Sequence, residues 1–135
     1  MNSDIINEIS KHLLDKKICG IHFYGPPILV LDNSGVTGNA LFLTLESEWS
    51  IYRIDETIEW ITYPGISLLL CKLESIMLIN IKDIQFDSNK IFYILFENNY
   101  ILAIKPDMQN EAWNIVSQND QKIDFISIPG GEISF

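Results

Sequence analysis

Two alternating segments near the C-terminus constrain this chain most: residues 90–96 and 100–105, joined by Glu97-Asn98-Asn99. Alternation at period two sends successive side chains to opposite faces of a strand, and a short polar connection is what closes a hairpin. After this pair come Glu111-Ala112-Trp113-Asn114-Ile115, a polar turn, then Ile123-Asp124-Phe125-Ile126-Ser127-Ile128, then Pro129-Gly130-Gly131-Glu132. Together they read as the closing part of a small β-rich domain. Gly130-Gly131 after Pro129 predicts a tight turn, because glycine tolerates positive φ.

Upstream the periodicity begins helical. Ser3 or Asp4 can cap a helix over 4–16, in which Ile5, Ile6, Ile9, Leu13 and Leu14 share one face. The pattern then turns to strands at 18–24 and 28–31, separated by Gly25-Pro26-Pro27, with turn chemistry in Asp32-Asn33-Ser34-Gly35. Segments 40–45 and 49–54 predict a hairpin around Glu46-Ser47-Glu48. Residues 55–65 carry Trp60 and Tyr63 with weak periodicity and read as a loop or an irregular strand. Segment 66–73 is strongly apolar and fits either a strand or a buried helix. Residues 76–86 alternate as a strand, and Asp87-Ser88-Asn89 turns the chain into 90–96.

A faint repeat at a spacing of 51 residues aligns 40–46 with 91–97 and Trp49 with Tyr100. It would make the molecule two related β-meanders. The predicted fold class is α+β: an N-terminal helix packed on an antiparallel β-sandwich or half-open barrel of about eight strands. No linker divides residues 1–135, so a single domain is expected.

Composition enters where function is concerned. With 18 acidic residues against nine basic ones, the net charge is −9. That balance argues against nucleic acid and anionic membranes as partners and suits a basic protein. Lys11, Lys16, Lys17, Arg53, Lys72, Lys82, Lys90, Lys105 and Lys122 are scattered and form no basic patch. Cys19 and Cys71 sit in apolar runs and read as buried free thiols. The N-terminal residues lack the pattern of a secretory signal, and no apolar run reaches the ~20 residues of a membrane span. A cytoplasmic protein is expected.

Catalytic patterns fail one by one. Cys19 and His22 are too few for a zinc site, and on a strand they would face opposite sides. His12 and His22 are the only candidate bases, and no nucleophile elbow exists for them to serve. The glycines form no phosphate cradle. The expectation is a non-enzyme with no catalytic residues, no metal and no cofactor.

What remains is an acidic and aromatic stretch. Glu46, Glu48, Trp49, Asp55, Glu56, Glu59 and Trp60 lie close together, with Arg53 as the only basic residue among them. Carboxylates speed association with a basic partner, and an aromatic anchor adds short-range affinity. These seven residues are the candidate partner-binding set.

The hairpin Phe96-Glu97-Asn98-Asn99-Tyr100, Pro106, Glu111-Ala112-Trp113 and Pro129-Gly130-Gly131-Glu132 together resemble a family of small bacterial proteins. Proteins with this look occur among the immunity proteins of contact-dependent inhibition and polymorphic toxin systems. The resemblance covers roughly half of the chain and carries no catalytic assignment. It implies a protein that binds a cognate toxin domain, a nuclease being one such class, and blocks it by protein–protein contact. The alternatives are a homo-oligomeric scaffold, self-associating through an edge strand or through 66–73, and a small-ligand-binding β-domain.

Overall fold

The computed structural model describes residues 3–23, 25–33, 40–62, 66–117 and 124–135. The chain opens with helix α1 (Ser3–Leu13), whose Ile9 and Leu13, one turn apart, are buried. Asp4 in its first turn and Lys11 in its last complement the helix dipole. The helix ends earlier than the predicted residue 16. Asp15 swings into the left-handed region at φ 67° and its N–H donates to the Ile81 carbonyl at 3.0 Å. Lys16 therefore belongs to the path out of the helix.

Then follow β1 (Lys17–His22), β2 (Ile28–Asp32), β3 (Leu41–Leu45), β4 (Trp49–Arg53), helix α2 (Ile66–Leu73), β5 (Ile81–Phe86), β6 (Phe92–Phe96) and β7 (Tyr100–Ile104). β8 (Trp113–Ser117), β9 (Asp124–Ser127) and β10 (Ile133–Ser134) complete the described elements. The strands form two antiparallel sheets, one ordered β1-β2-β3-β8-β9-β10 and one ordered β4-β7-β6-β5. With α1 they make an open, sandwich-like α+β fold. Leu29, Leu31, Leu43, Trp113, Ile115 and Phe125 from the larger sheet join Ile51, Phe92, Ile94, Leu102 and Ile104 from the smaller in one buried cluster. Phe92 of β6 stacks on Phe86 of β5 and meets Trp113 of β8, both with centroids 4.6 Å apart, so an aromatic group links the sheets.

The predicted hairpin over 40–45 and 49–54 does not form. Its two strands exist, but β3 pairs with β2 and β8 while β4 pairs with β7 in the other sheet. Glu46-Ser47-Glu48 is thus a corner between sheets. Backbone hydrogen bonds pin it at both ends: Glu46 N–H to the Ala112 carbonyl, and Lys105 N–H to the Glu48 carbonyl, each 2.9 Å. In the aligned unit β6 and β7 do pair as a hairpin, so the 51-residue spacing does not mark a structural repeat.

Segment 66–73 is a helix because Leu69 and Leu73, four apart, are the residues it buries. That leaves Cys71 on the outer face, exposed. Cys19 is also exposed, because it is the extra residue of a bulge between Ile18 and Gly20. Neither thiol is the buried hydrophobe expected, although both are free. The alternating segment 76–86 becomes strand only from Ile81. Before that, Met77 makes a parallel bridge to Ile18 and Leu78 takes φ 62°. Tyr24, Ser34, Gly35, Tyr63 and Ile123, which belonged to the expected strands, turn and loop, lie outside the described residues.

Gly130 and Gly131 form the expected turn, at φ 91° and 92°. Their surroundings differ. A Cβ on Gly131 would lie 2.9 Å from Lys90 Cβ and 3.0 Å from Pro106 Cβ, whereas one on Gly130 meets nothing within 4 Å. Both alanine substitutions carry a backbone cost on the order of 1 kcal/mol, and Gly131→Ala adds a clash. Gly131→Ala is therefore expected to lower the chemical-denaturation midpoint clearly more than Gly130→Ala. Equal midpoints would show that Lys90 and Pro106 yield freely.

Candidate functional site

The corner 46–48 and the connection from β7 to β8 build a groove of ≈ 890 Å³. Glu46, Ser47 and Glu48 form one wall; Lys105, Pro106, Asp107, Met108, Asn110 and Glu111 form the other, with Pro26 and Thr62 beside them. The sequence dictates this placement through short bonds. Glu46 is held to Ala112, which sets its side chain near that of Glu111. The Asp107 carboxylate accepts from the N–H groups of Gln109 (2.8 Å) and Asn110 (3.0 Å), curling the connection into an Asx-type turn.

The C-terminal motif supports this wall. Gly130 N–H donates to the Asp107 carbonyl at 2.8 Å, and Gly131 lies close against Pro106. Glu132 pairs with Lys90 at 2.6 Å, which holds its carboxyl below the usual range. Ala112 N–H reaches the Ser127 carbonyl at 3.1 Å. Trp113 itself is buried in the core, at 1% exposure.

Four carboxylates, from Glu46, Glu48, Asp107 and Glu111, line the groove against a single cation, Lys105, among the described residues. The Lys105 ammonium lies 3.1 Å from Glu48 Oε2 and 4.8 Å from the centre of the Trp60 ring. An ammonium held by a carboxylate and an aromatic face has two attractive contacts, each modest in solvent. Met108 projects beside it, 77% exposed.

Glu46 is the unusual group. Its Oε2 is buried and has no hydrogen-bond partner among the described residues. Desolvation pushes its carboxyl up and the neighbouring Glu111 adds to this, while a hydrogen bond from Asn114 opposes them. A carboxyl raised on folding favours the folded state below its ordinary value and weighs against it as pH climbs past the raised one. Glu46→Gln is therefore expected to unfold at higher temperature than the parent at pH 7, with the gap closing near pH ~4. Thermal melts across that range test it, and a variant less stable at pH 7 would contradict it.

The seven predicted residues do not stay together. Glu46, Glu48 and Trp60 gather at the groove. Trp49 is 0% exposed, so it is a core residue and offers no surface anchor. Its burial follows from position: Trp49 and Ile51 occupy the inward side of β4. Asp55 and Glu56 lie past the far end of β4, roughly 17 Å along the strand. There Asp55 forks Arg53, with Nε at 2.8 Å and a second nitrogen at 3.0 Å. Glu56 accepts the Arg53 N–H at 2.8 Å. Glu59 is exposed. Asp107 and Glu111 were missed. Their signal was the polar Asp107-Met108-Gln109-Asn110-Glu111 connection, distant in sequence from the acidic stretch.

Among the described residues no group of three or more His, Cys, Asp or Glu is placed to hold a metal ion. No described helix is long and apolar enough to cross a membrane. Compared with known protein families, curated proteins and solved structures, the chain finds no match.

Proposed function

We propose that this protein is a non-enzymatic immunity protein that binds a basic toxin domain and neutralises it by protein–protein contact. The observation that carries the reading is the groove, where four carboxylates face one lysine in a chain of net charge −9. Such a surface accelerates encounter with a positive partner and gives it specific pairing positions. A nuclease domain is one such partner, since a nucleic-acid groove is basic. The C-terminal resemblance points to the same class, and the cytoplasm is where an inhibitor of this kind would meet its target.

Co-expression with the product of the adjacent gene, followed by capture, tests this. Stoichiometric recovery of a basic domain together with loss of its toxicity is the expected result. Recovery of the protein without that domain, and no protection of the cell, would overturn it.

A further inference from the structure

The outer face of the six-stranded sheet carries apolar side chains that the core does not use. Strand alternation sends Leu29, Leu31, Leu43 and Ile115 inward, where they are fully buried. Their neighbours Ile28, Val30, Phe42 and Val116 stand on the opposite face, partly exposed and outside the buried cluster. Register puts three of them in one row, since Val30 pairs with Phe42 and Phe42 with Val116. On β1, Gly20 lies opposite Val30 and has no side chain with which to cover it. The His22 ring flanks Phe42, with centroids 6.0 Å apart. Single exposed hydrophobic residues are ordinary on a protein surface, but a contiguous apolar row across neighbouring strands marks a contact face.

This face runs into the groove. The next row along the strands is Ile28, Thr44 and Asn114. Asn114 hydrogen-bonds Glu46, which follows Thr44 by two residues and forms part of the groove wall. Glu46 keeps its buried Oε2 without a partner there. At the other end of the first row, Asp124 stands opposite Val116. An apolar centre bordered by carboxylates and an orphaned acceptor fits a partner that presents an apolar patch beside basic donors. A second copy of this chain would bring the same carboxylates together and be repelled.

We propose that the outer face of β2, β3 and β8, centred on Phe42, is the apolar core of the interface with the basic partner, and that the groove is its charged border. The inference rests on the proposed function and adds to it the surface that holds the complex together. Groove carboxylates guide the encounter, whereas Phe42, the largest side chain of the row, sets how long the complex lasts.

The test uses the basic domain recovered with the parent protein in the co-expression capture. Phe42→Thr removes the ring and keeps a β-branched strand residue. It should weaken the complex roughly 30-fold, as loss of an interface hot spot does, through faster dissociation. Val116→Thr keeps the shape of valine and buries a hydroxyl instead, so it should weaken the complex roughly fivefold. Ile54→Thr, 58% exposed and beyond the far end of β4, should leave it unchanged. Unfolding midpoints check that each variant folds, and Val116→Thr carries the test if Phe42→Thr does not. Parent-like dissociation of the variants in the row, or equal weakening by Ile54→Thr, would overturn the inference and leave the immunity reading standing. Capture of no basic domain by the parent would overturn that reading, and this inference with it.

Discussion

Replacing Trp113 with alanine is expected to cost about 3–5 kcal/mol, the range for deleting a buried aromatic from a packed core. Trp113 is 1% exposed and belongs to β8 in the six-stranded sheet. Its ring contacts lie across the interface, with Phe92 at 4.6 Å and Phe86 at 6.2 Å. Deletion removes area from both sheets at once and leaves a cavity that neither backbone can close alone. Since domains are stable by only about 5–15 kcal/mol in total, the variant should be partly unfolded or close to it. Urea titration followed by circular dichroism measures this. Trp113→Phe should recover much of the loss, because a ring would still bridge the sheets. A Trp113→Ala midpoint within about 1 kcal/mol of the parent would show that the aromatic group does not tie the layers together.

Where the fold was legible, local physics was decisive. The α1 stripe, the β6–β7 hairpin and the Gly130-Gly131 turn are each set by residues within a few positions of one another. The hairpin turn shows why. Asn99 adopts φ 67°, a conformation that asparagine tolerates better than most side chains. The same turn fastens Ile54 N–H through the Asn99 carbonyl at 2.9 Å. The β3–β4 corner was illegible because its signal is identical to that of a hairpin. Two alternating strands with a short polar connection can pair with each other or pass to separate sheets. The choice depends on β7 and β8, which lie far along the chain and outcompete the local pairing. Periodicity also could not separate strand from helix at α2, where every position but Ser67 and Lys72 is apolar or cysteine.

The site followed the same division. Density of acids in sequence picked out Glu46 and Glu48, and the aromatic expectation picked out Trp60, and the fold brings these three together at the groove. It also picked Asp55 and Glu56, which the fold places away from the groove, with their carboxylates engaged by Arg53 and its backbone. It could not reach Asp107 and Glu111, because bonds between residues far apart in the chain, Glu46 to Ala112 and Lys105 to Glu48, bring that connection alongside the corner. Trp49 looked like an anchor next to two acids, yet strand alternation turns it inward. A linear charge cluster on a β protein is thus sorted by strand length and face before it becomes a surface.

That sorting sets the second large effect, which tests where the steering charge resides. Glu48→Lys with Glu111→Lys reverses two groove acids. Asp55→Lys with Glu97→Lys reverses two acids at the opposite end of the four-stranded sheet, beside the β6–β7 turn. The two double variants change net charge equally, so any difference between them reports position alone. Against a basic partner at low ionic strength, the groove pair should slow association roughly 10- to 100-fold. The far pair should change it by no more than about threefold, the residue of the shared net-charge change. The gap should narrow in high salt, as the screening length falls to about 3 Å at 1 M. Stopped-flow association at two salt concentrations, with unfolding midpoints as a control for folding, makes the measurement. Equal slowing by both pairs would mean that overall charge, rather than the groove, guides the encounter. Slowing by the far pair alone would move the binding face to the Arg53 end of β4.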